Sequence, residues 1–364
     1  MKWKCVVAAG LLCFTVRAQI TITETDLPEA GHTYFVSADT TTAVDLGSPS
    51  AVAQTWNYSS LLLHYFKVPT YDSTNNTPYA ADFPASTHYT YGPAAFYSGL
   101  HGGAPVGTQG MNNGYMFWRR DNTGFWIVGF RAEEGDYANK NVTLLQQELL
   151  IGCTATYNDV FNNTARWELL FDENAANADT TYVNNVEKVL TADAFGELIT
   201  PTGTFSDVIR LHEYVITSDS AYAEFMSVPV YAMELHRDTL NNYIFLDNNT
   251  HYPVCVVHAD KNNTVLYVEY YQDYSMSEIS SIDIISELNV FPNPSTGNFQ
   301  INMDESPGEN TKVIITDLNG RVIHQSTLTQ TQNSISMNTA PGLYNYTVMT
   351  ENGIIATGII QILP

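Results

Sequence analysis

The stretch GYMFWRRDNTGFWIVGF, residues 114–130, limits the fold more than any other part of the chain. Its two apolar runs carry large side chains at consecutive positions, and a polar segment from Arg119 to Gly124 separates them. Successive side chains of a strand point to opposite faces, so a hairpin built this way must be covered on both sides. A second stretch, DVIRLHEYVI (207–216), alternates with period two. Ile209, Leu211 and Val215 share one face with Glu213, and the opposite face of Val208, Arg210, His212, Tyr214 and Ile216 is mixed. VPVYAMEL (228–235) and VLYVEYY (265–271) read as further strands, and helical periodicity is scarce. The expected fold is all-β: a large antiparallel, sandwich-like body followed by a smaller β-sandwich.

Asn-Asn-Thr recurs at 75–77, 162–164, 248–250 and 262–264, without a fixed period. These are expected to be polar loop tips rather than solenoid repeats. The N-terminus, MKWKCVVAAGLLCFTVRAQ, has a basic start, an apolar run from Cys5 to Val16 and Val16-Arg17-Ala18 before Gln19. It reads as a signal peptide over 1–18, with an apolar run too short for an ordinary spanning helix. A body over 19–274 follows, then a serine-rich linker, SMSEISSIDIISEL (275–288), and a compact unit over 289–364. In that unit TKVIITD and RVIHQST are joined through Asp317-Leu318-Asn319-Gly320, and GLYNYTVMT and GIIATGIIQIL through Glu351-Asn352-Gly353, a strong hairpin signal.

The formal net charge is -23, from 38 acidic and 15 basic residues. Such a surface repels phosphate backbones, so nucleic acid is not an expected partner. Cys5 and Cys13 would leave with the signal, and two readings stay open for Cys153 and Cys255. They form one disulfide in an oxidising compartment, or they are separate buried thiols.

The residues give no catalytic, metal or cofactor site, and no cofactor is expected. His101-Gly102-Gly103 lacks the nucleophile elbow that would make it an oxyanion strip. His212-Glu213 lies on a strand and has Ile216 where a zincin needs histidine. His251 and His258 flank Cys255 without a third ligand. Glu168, Asp172, Glu173 and Glu187 offer no identifiable facing pair, and DENAANAD (172–179) reads as a solvated loop. Tyr115, Phe117, Trp118, Phe125 and Trp126 are candidates for a sugar-stacking platform, with core packing as the plainer reading. Trp56 reads as a core anchor.

The C-terminal unit resembles the type A sorting domain of the type IX secretion system of Bacteroidota. Three blocks carry the likeness: Val290-Phe291-Pro292-Asn293-Pro294 with Gly297 and Phe299; Val313 to Asp317 with Leu318-Asn319-Gly320; and Pro341-Gly342-Leu343-Tyr344 with the strand from Gly353 to Ile362. The last strand has Ala356-Thr357-Gly358-Ile359 where the family often has a Lys or Arg. The resemblance implies an immunoglobulin-like sandwich recognised by the outer-membrane translocon. It also implies a surface protease that removes the domain, so that the protein is released or held at the cell surface. The motif positions carried over are Pro292, Asn293, Pro294, Gly297, Asp317, Asn319, Gly320, Gly342, Leu343 and Tyr344. In the body, DLGSPS (45–50), TWNYSSL (55–61), DFPAS (82–86) and GELITPTGTFSDVIRL (196–211) resemble blocks of uncharacterised secreted β-rich proteins bearing the same domain. The lineage implies O-glycan acceptors at Thr40, Ser73, Thr180, Ser220 and Thr239. The body is expected to be a non-catalytic binding or surface-structural module, with a glycan as a candidate partner. The alternatives are a glycan-directed hydrolase and a carrier with an empty apolar cavity.

Overall fold

The computed structural model describes residues 20–41, 43–92, 114–133, 139–171, 179–225, 228–272, 288–303, 306–308, 311–317, 320–350 and 353–363. Strand is the dominant structure of the described residues, and their helical turns are two single-turn 3-10 segments at Glu24–Asp26 and Thr74–Asn76. No helix among them is long and apolar enough to cross a membrane.

The body contains β1 (His32–Thr33), β2 (Val36–Asp39), β3 (Gln54–Asn57), β4 (Tyr65–Lys67), β5 (Thr70–Ser73), β6 (His88–Tyr91), β7 (Gly114–Asp121) and β8 (Gly124–Ala132). It continues with β9 (Asn141–Gly152), β10 (Val160–Phe171), β11 (Asp179–Thr200), β12 (Gly203–Phe225), β13 (Val228–Leu246), β14 (Cys255–Asp260) and β15 (Val265–Tyr271). From β5 to β15 the chain meanders, each strand antiparallel to the next except that β3 is inserted beside β11. The hydrogen-bonded path starts at β1 and ends at β2 and β4. Only Tyr34 and Phe35 separate β1 from β2, and only Val68 and Pro69 separate β4 from β5. The runs 32–39 and 65–73 therefore pair along their length and close the sheet on itself, with the Tyr34 amide donating to the Pro69 carbonyl at 3.0 Å across the two kinks. Closure removes most of the unpaired edge that a long meander would otherwise present.

One large core fills the closed sheet, contributed by strands around the whole ring: Val36, Tyr71, Trp118, Ile151, Leu190, Leu211 and Ile244 among others. Ile209, Leu211 and Val215 all lie in it, as their shared face predicts. Two outer clusters cover the other side of the sheet. Residues 44–61 cross β11–β15 as a strap, burying Trp56, Tyr58 and Leu61 against Phe245, Val257 and Tyr270. The strap includes β3, which is parallel to β11 at Gly196. A Cβ at Gly196 would collide with the Gln54 backbone, so glycine is what lets the two strands approach. On the far side Phe83 stacks on Phe117 with ring centroids 3.8 Å apart.

The double-sided hairpin is present, but its loop is shorter than the sequence suggests. β7 and β8 pair from Gly114↔Ala132 to Asp121↔Gly124, so Arg119 and Arg120 are strand residues. Asp121 accepts from the Thr123 amide at 2.8 Å to close the turn, and Arg119 Nε pairs with its other oxygen at 3.1 Å. Asn-Asn-Thr at 162–164 is also strand, in β10, rather than a loop tip. There Asn163 inserts its amide group into the β9 backbone, accepting from Leu149 N at 3.0 Å and donating to Gln147 O at 3.1 Å.

The C-terminal unit has a three-stranded sheet of β16 (Asn289–Phe291), β17 (Asn298–Asn302) and β20 (Gln332–Ser336). Its four-stranded sheet is made of β18 (Lys312–Thr316), β19 (Val322–Thr327), β21 (Gly342–Thr350) and β22 (Gly353–Ile362). Phe299, Ile301 and Ile335 of one sheet pack on Val313, Ile315, Tyr346 and Ile360 of the other, giving the expected sandwich.

Candidate functional site

The motif residues of the C-terminal unit converge on its two ends. Pro292 and Pro294 have no amide hydrogen to donate, and the residue between them takes over the pairing. Asn293 Nδ2 donates to the Ile359 carbonyl at 2.7 Å, and its Oδ1 accepts from the Gln361 amide at 2.9 Å. The buried Ser295 continues the seam: its amide donates to the Gln361 carbonyl at 2.9 Å, and its carbonyl accepts from Leu363 N at 2.7 Å. The opening segment is thus stitched in parallel to β22, joining the two sheets. Gly297 sits at φ 100°, and a Cβ there would strike the Met337 carbonyl. The Tyr344 hydroxyl donates to the Ala340 carbonyl at 2.7 Å and pins the bend before β21. At the other end Asp317 Oδ1 accepts from the Arg321 amide at 3.0 Å, and Gly320 adopts φ 83°. Asn319 lies outside the described residues. Leu343, beside Gly342, and Ile359 are exposed on the outer face of the four-stranded sheet, and Phe291 is exposed beside the prolines.

The polar groups of the body are mostly committed to holding strands together. Lys188 Nζ lies in the core, 2.8 Å from Glu148 Oε1 and 3.0 Å from Glu213 Oε1, and Asn242 donates to the second oxygen of Glu213 at 2.8 Å. Burial alone would push the Lys188 ammonium down. The two carboxylates more than offset this and hold it above the ordinary lysine range. Arg210, fully buried, forks onto Asp193 at 2.8 and 2.9 Å, lies over the rings of Trp56 and Tyr243, and donates to the Leu46 carbonyl. It thereby locks the strap to the sheet. Burial pushes the Glu269 carboxyl up, but Lys67 at 2.7 Å and the neighbouring His258 outweigh it and hold the group down to about 2.

The residues weighed for chemistry stay apart. His101-Gly102-Gly103, Asp172 and Glu173 lie outside the described residues. His212 bonds Asn241 at 3.0 Å and stacks on Tyr243, with Glu213 on the opposite face. His251 Nδ1 bonds the Thr25 carbonyl at 2.7 Å, and His258 stacks on Tyr267. No metal-holding group of His, Cys, Asp and Glu occurs among the described residues. Glu168 is paired with Arg166, and Glu187 borders a shallow groove beside Asn162 and Tyr214. Cys153 and Cys255 are free thiols, so the pairing alternative is not the one found. Cys255 is on β14 under the strap, and Cys153 borders the main core on the other side of the sheet.

The five hairpin aromatics do not share a face. Trp118 and Phe125 stack inside the main core, Phe117 packs under Phe83, and Trp126 is half-buried beneath Arg119. Tyr115 shares the face of Phe117 and stacks on it at 6.1 Å, at the border of the Phe83–Phe117 cluster, where Tyr79, Tyr89 and Tyr91 surround it at centroid distances of 5.2, 5.6 and 4.6 Å. Sequence reasoning missed that tyrosine group and the Glu148–Lys188–Glu213 set. Glu213 on an otherwise apolar strand face was the one signal pointing to the latter. Of the acceptor positions, Thr40 is exposed beyond β2, Ser73 is half-buried at the end of β5, and Ser220 and Thr239 are half-buried within strands. The Thr180 side chain is not among those described.

Residues 289–361 match the family model described as the secretion system C-terminal sorting domain. The C-terminal unit is that sorting domain, as its motif blocks suggest. No curated protein matches the chain. Among solved structures it is similar to PorZ, an essential surface component of the type-IX secretion system of Porphyromonas gingivalis, at 9% identity. That similarity covers 84% of this chain and 57% of the other, so this chain spans less than two thirds of that protein. The TM-score of 0.20 is too low to define a shared arrangement.

Proposed function

We propose that this chain is exported by type IX secretion to the cell surface or medium, and that its body is a non-catalytic module for binding or surface structure. The layout that fits is a signal peptide over 1–18, a body over 19–274, a linker over 275–288 and the sorting unit over 289–364. The observation that carries the export reading is the match of residues 289–361 to a sorting domain, whose opening block from Pro292 to Gly297 is stitched to its last strand. The translocon and a surface processing protease are its partners on that reading. Deletion of 289–364 is expected to leave the protein in the periplasm; normal arrival at the surface would overturn the assignment.

For the body, the supporting observation is that its large aromatics and its facing carboxylates are used in packing. Glu148 and Glu213 are bridged by an ammonium instead of facing each other across a cleft. The gap among Tyr71, Phe125, Leu150, Ile151 and Tyr252 inside the core measures about 10 Å³, the space of one water. The Tyr79–Tyr89–Tyr91–Tyr115 group, with Arg131 over Tyr79 at 4.2 Å, favours a glycan as partner, since ring faces and flanking polar groups suit sugar C–H and hydroxyl surfaces. Glycan-array binding by the mature chain that falls in Tyr115→Ala tests this, and equal binding by both would exclude the site. Thr40 is the best placed O-glycan acceptor, and an intact mass equal to the bare mature chain would exclude modification.

A further inference from the structure

The body and the sorting domain meet at a built contact. β4 is the outermost strand of the body's sheet path, and β19 is the outermost strand of the four-stranded sheet of the sorting domain. They are joined edge to edge. The Phe66 amide donates to the Gly320 carbonyl at 3.2 Å, the Val322 amide donates to the His64 carbonyl at 3.0 Å, and Tyr65 bridges Arg321 in antiparallel register. Beneath this seam lies an apolar cluster of Phe35 and Phe66 from the body with Ile314 and Met349 from the sorting domain, all nearly inaccessible to water. Leu63, Val68 and Val322 border it.

The sorting domain's own core does not need these side chains. Val313 and Ile315 point into its sandwich, and Ile314, between them, points out. The outer face of its four-stranded sheet is therefore of two kinds. Ile314 and Met349 are covered by the body at one end, and Leu343 and Ile359 are exposed at the other. An edge strand left open exposes unpaired donors and acceptors, and an apolar face left open exposes Ile and Met to water. Docking resolves both at once, and main-chain pairing with side-chain pockets is a known mode of strand recognition.

We propose that the body carries a docking face for its own sorting domain, formed by the His64–Phe66 edge with Phe35, and that this face retains the domain after the connection between them is cut. Covalent removal and physical release are then separate events. The tether only raises the local concentration of a contact that stands without it. In the docked state Gly320 is engaged by the body, and the Pro292–Gly297 seam and the Leu343–Ile359 end face outward.

The test places a recognition sequence for a site-specific protease within residues 275–287 of the mature full-length chain, with complete cleavage verified on a denaturing gel. The cut protein, at micromolar concentration, is then passed over a native sizing column. The two fragments are expected in one peak; separate peaks would overturn the proposal. Ile314→Asp with Met349→Asp is expected to release the domain from the cut chain, because both side chains lie outside its own core. Phe66→Asp tests the same contact from the body. Co-elution unaffected by either change would show that the retained contact is a different one and would equally overturn it. These outcomes are independent of whether export is through type IX secretion.

Discussion

The side chain of Asn293 occupies the place of a strand backbone: it donates to the Ile359 carbonyl at 2.7 Å, a bond the flanking prolines cannot make because they lack an amide hydrogen, and accepts from the Gln361 amide at 2.9 Å. An amide group meets both partners, since it offers one donor and one acceptor. A carboxylate would place an acceptor against the Ile359 carbonyl, and alanine would leave both β22 groups to water.

Asn293→Ala is expected to destabilise the sorting domain by about 1 kcal/mol, the usual worth of exposed hydrogen bonds of this kind. Asn293→Asp is expected to cost as much or more. Hydrogen exchange at the Gln361 amide checks it directly. Faster exchange there, with Phe299 and Ile335 still protected, is the expected pattern, and an unchanged Gln361 would show that the side chain does not hold the seam.

Lys188→Met removes the ammonium from between Glu148 and Glu213 and leaves two buried carboxylates facing each other. Breaking such a set by removing one partner costs about 3–5 kcal/mol. Adding Glu148→Gln and Glu213→Gln removes the unbalanced charge, so the triple variant is expected to recover part of the loss. Urea midpoints for wild type, single and triple variants give the comparison. A single variant as stable as wild type would mean that the pair does not hold β9, β11 and β12 together.

Much of this fold was legible because strand patterns are local. The two-sided hairpin at 114–130, the Ile209–Leu211–Val215 face and the paired C-terminal hairpins follow from alternation and turn residues alone. The Pro292–Gly297 block could be read as an opening because its residues are rare in combination. What the alternation cannot convey is which distant runs meet. Closure depends on 32–39 pairing with 65–73 through two-residue kinks, and the strap depends on Gly196 admitting Gln54. Lys188 finds Glu148 across the intervening β10, 40 positions away in the chain. Phe66 meets Ile314 across about two thirds of the chain. Each of these is a tertiary choice that a period-two pattern permits but does not select.

The free thiols make a redox prediction. Burial, followed by nearby Asp26, Glu24 and Asp121, pushes the Cys153 thiol up to about 12, and burial pushes Cys255 up as well. Neither forms the reactive thiolate near neutrality. Iodoacetamide at pH 8 is expected to leave the native protein unmodified and to add two labels in denaturant without reductant. No label until a reductant is added would instead reveal a disulfide.

His88 gives the chain a specific acid sensitivity. Burial, with a further push from Arg120, lowers its pKa to about 4, whereas in the unfolded chain it titrates near 6.5. Between these values the unfolded state holds a proton that the folded state lacks. The contribution is therefore complete above about pH 6.5, falls as the pH drops, and is gone below about 4. Over that window its loss reaches about 2 kcal/mol by pH 5. His88→Gln removes the titrating group, so the difference in unfolding free energy between wild type and variant should shrink by that amount from pH 7 to pH 5. Other histidines titrate in both proteins and cancel in the comparison. A difference constant with pH would show that His88 protonates as freely in the folded protein as in the unfolded chain, and that its place between β5 and β7 does not exclude the charge.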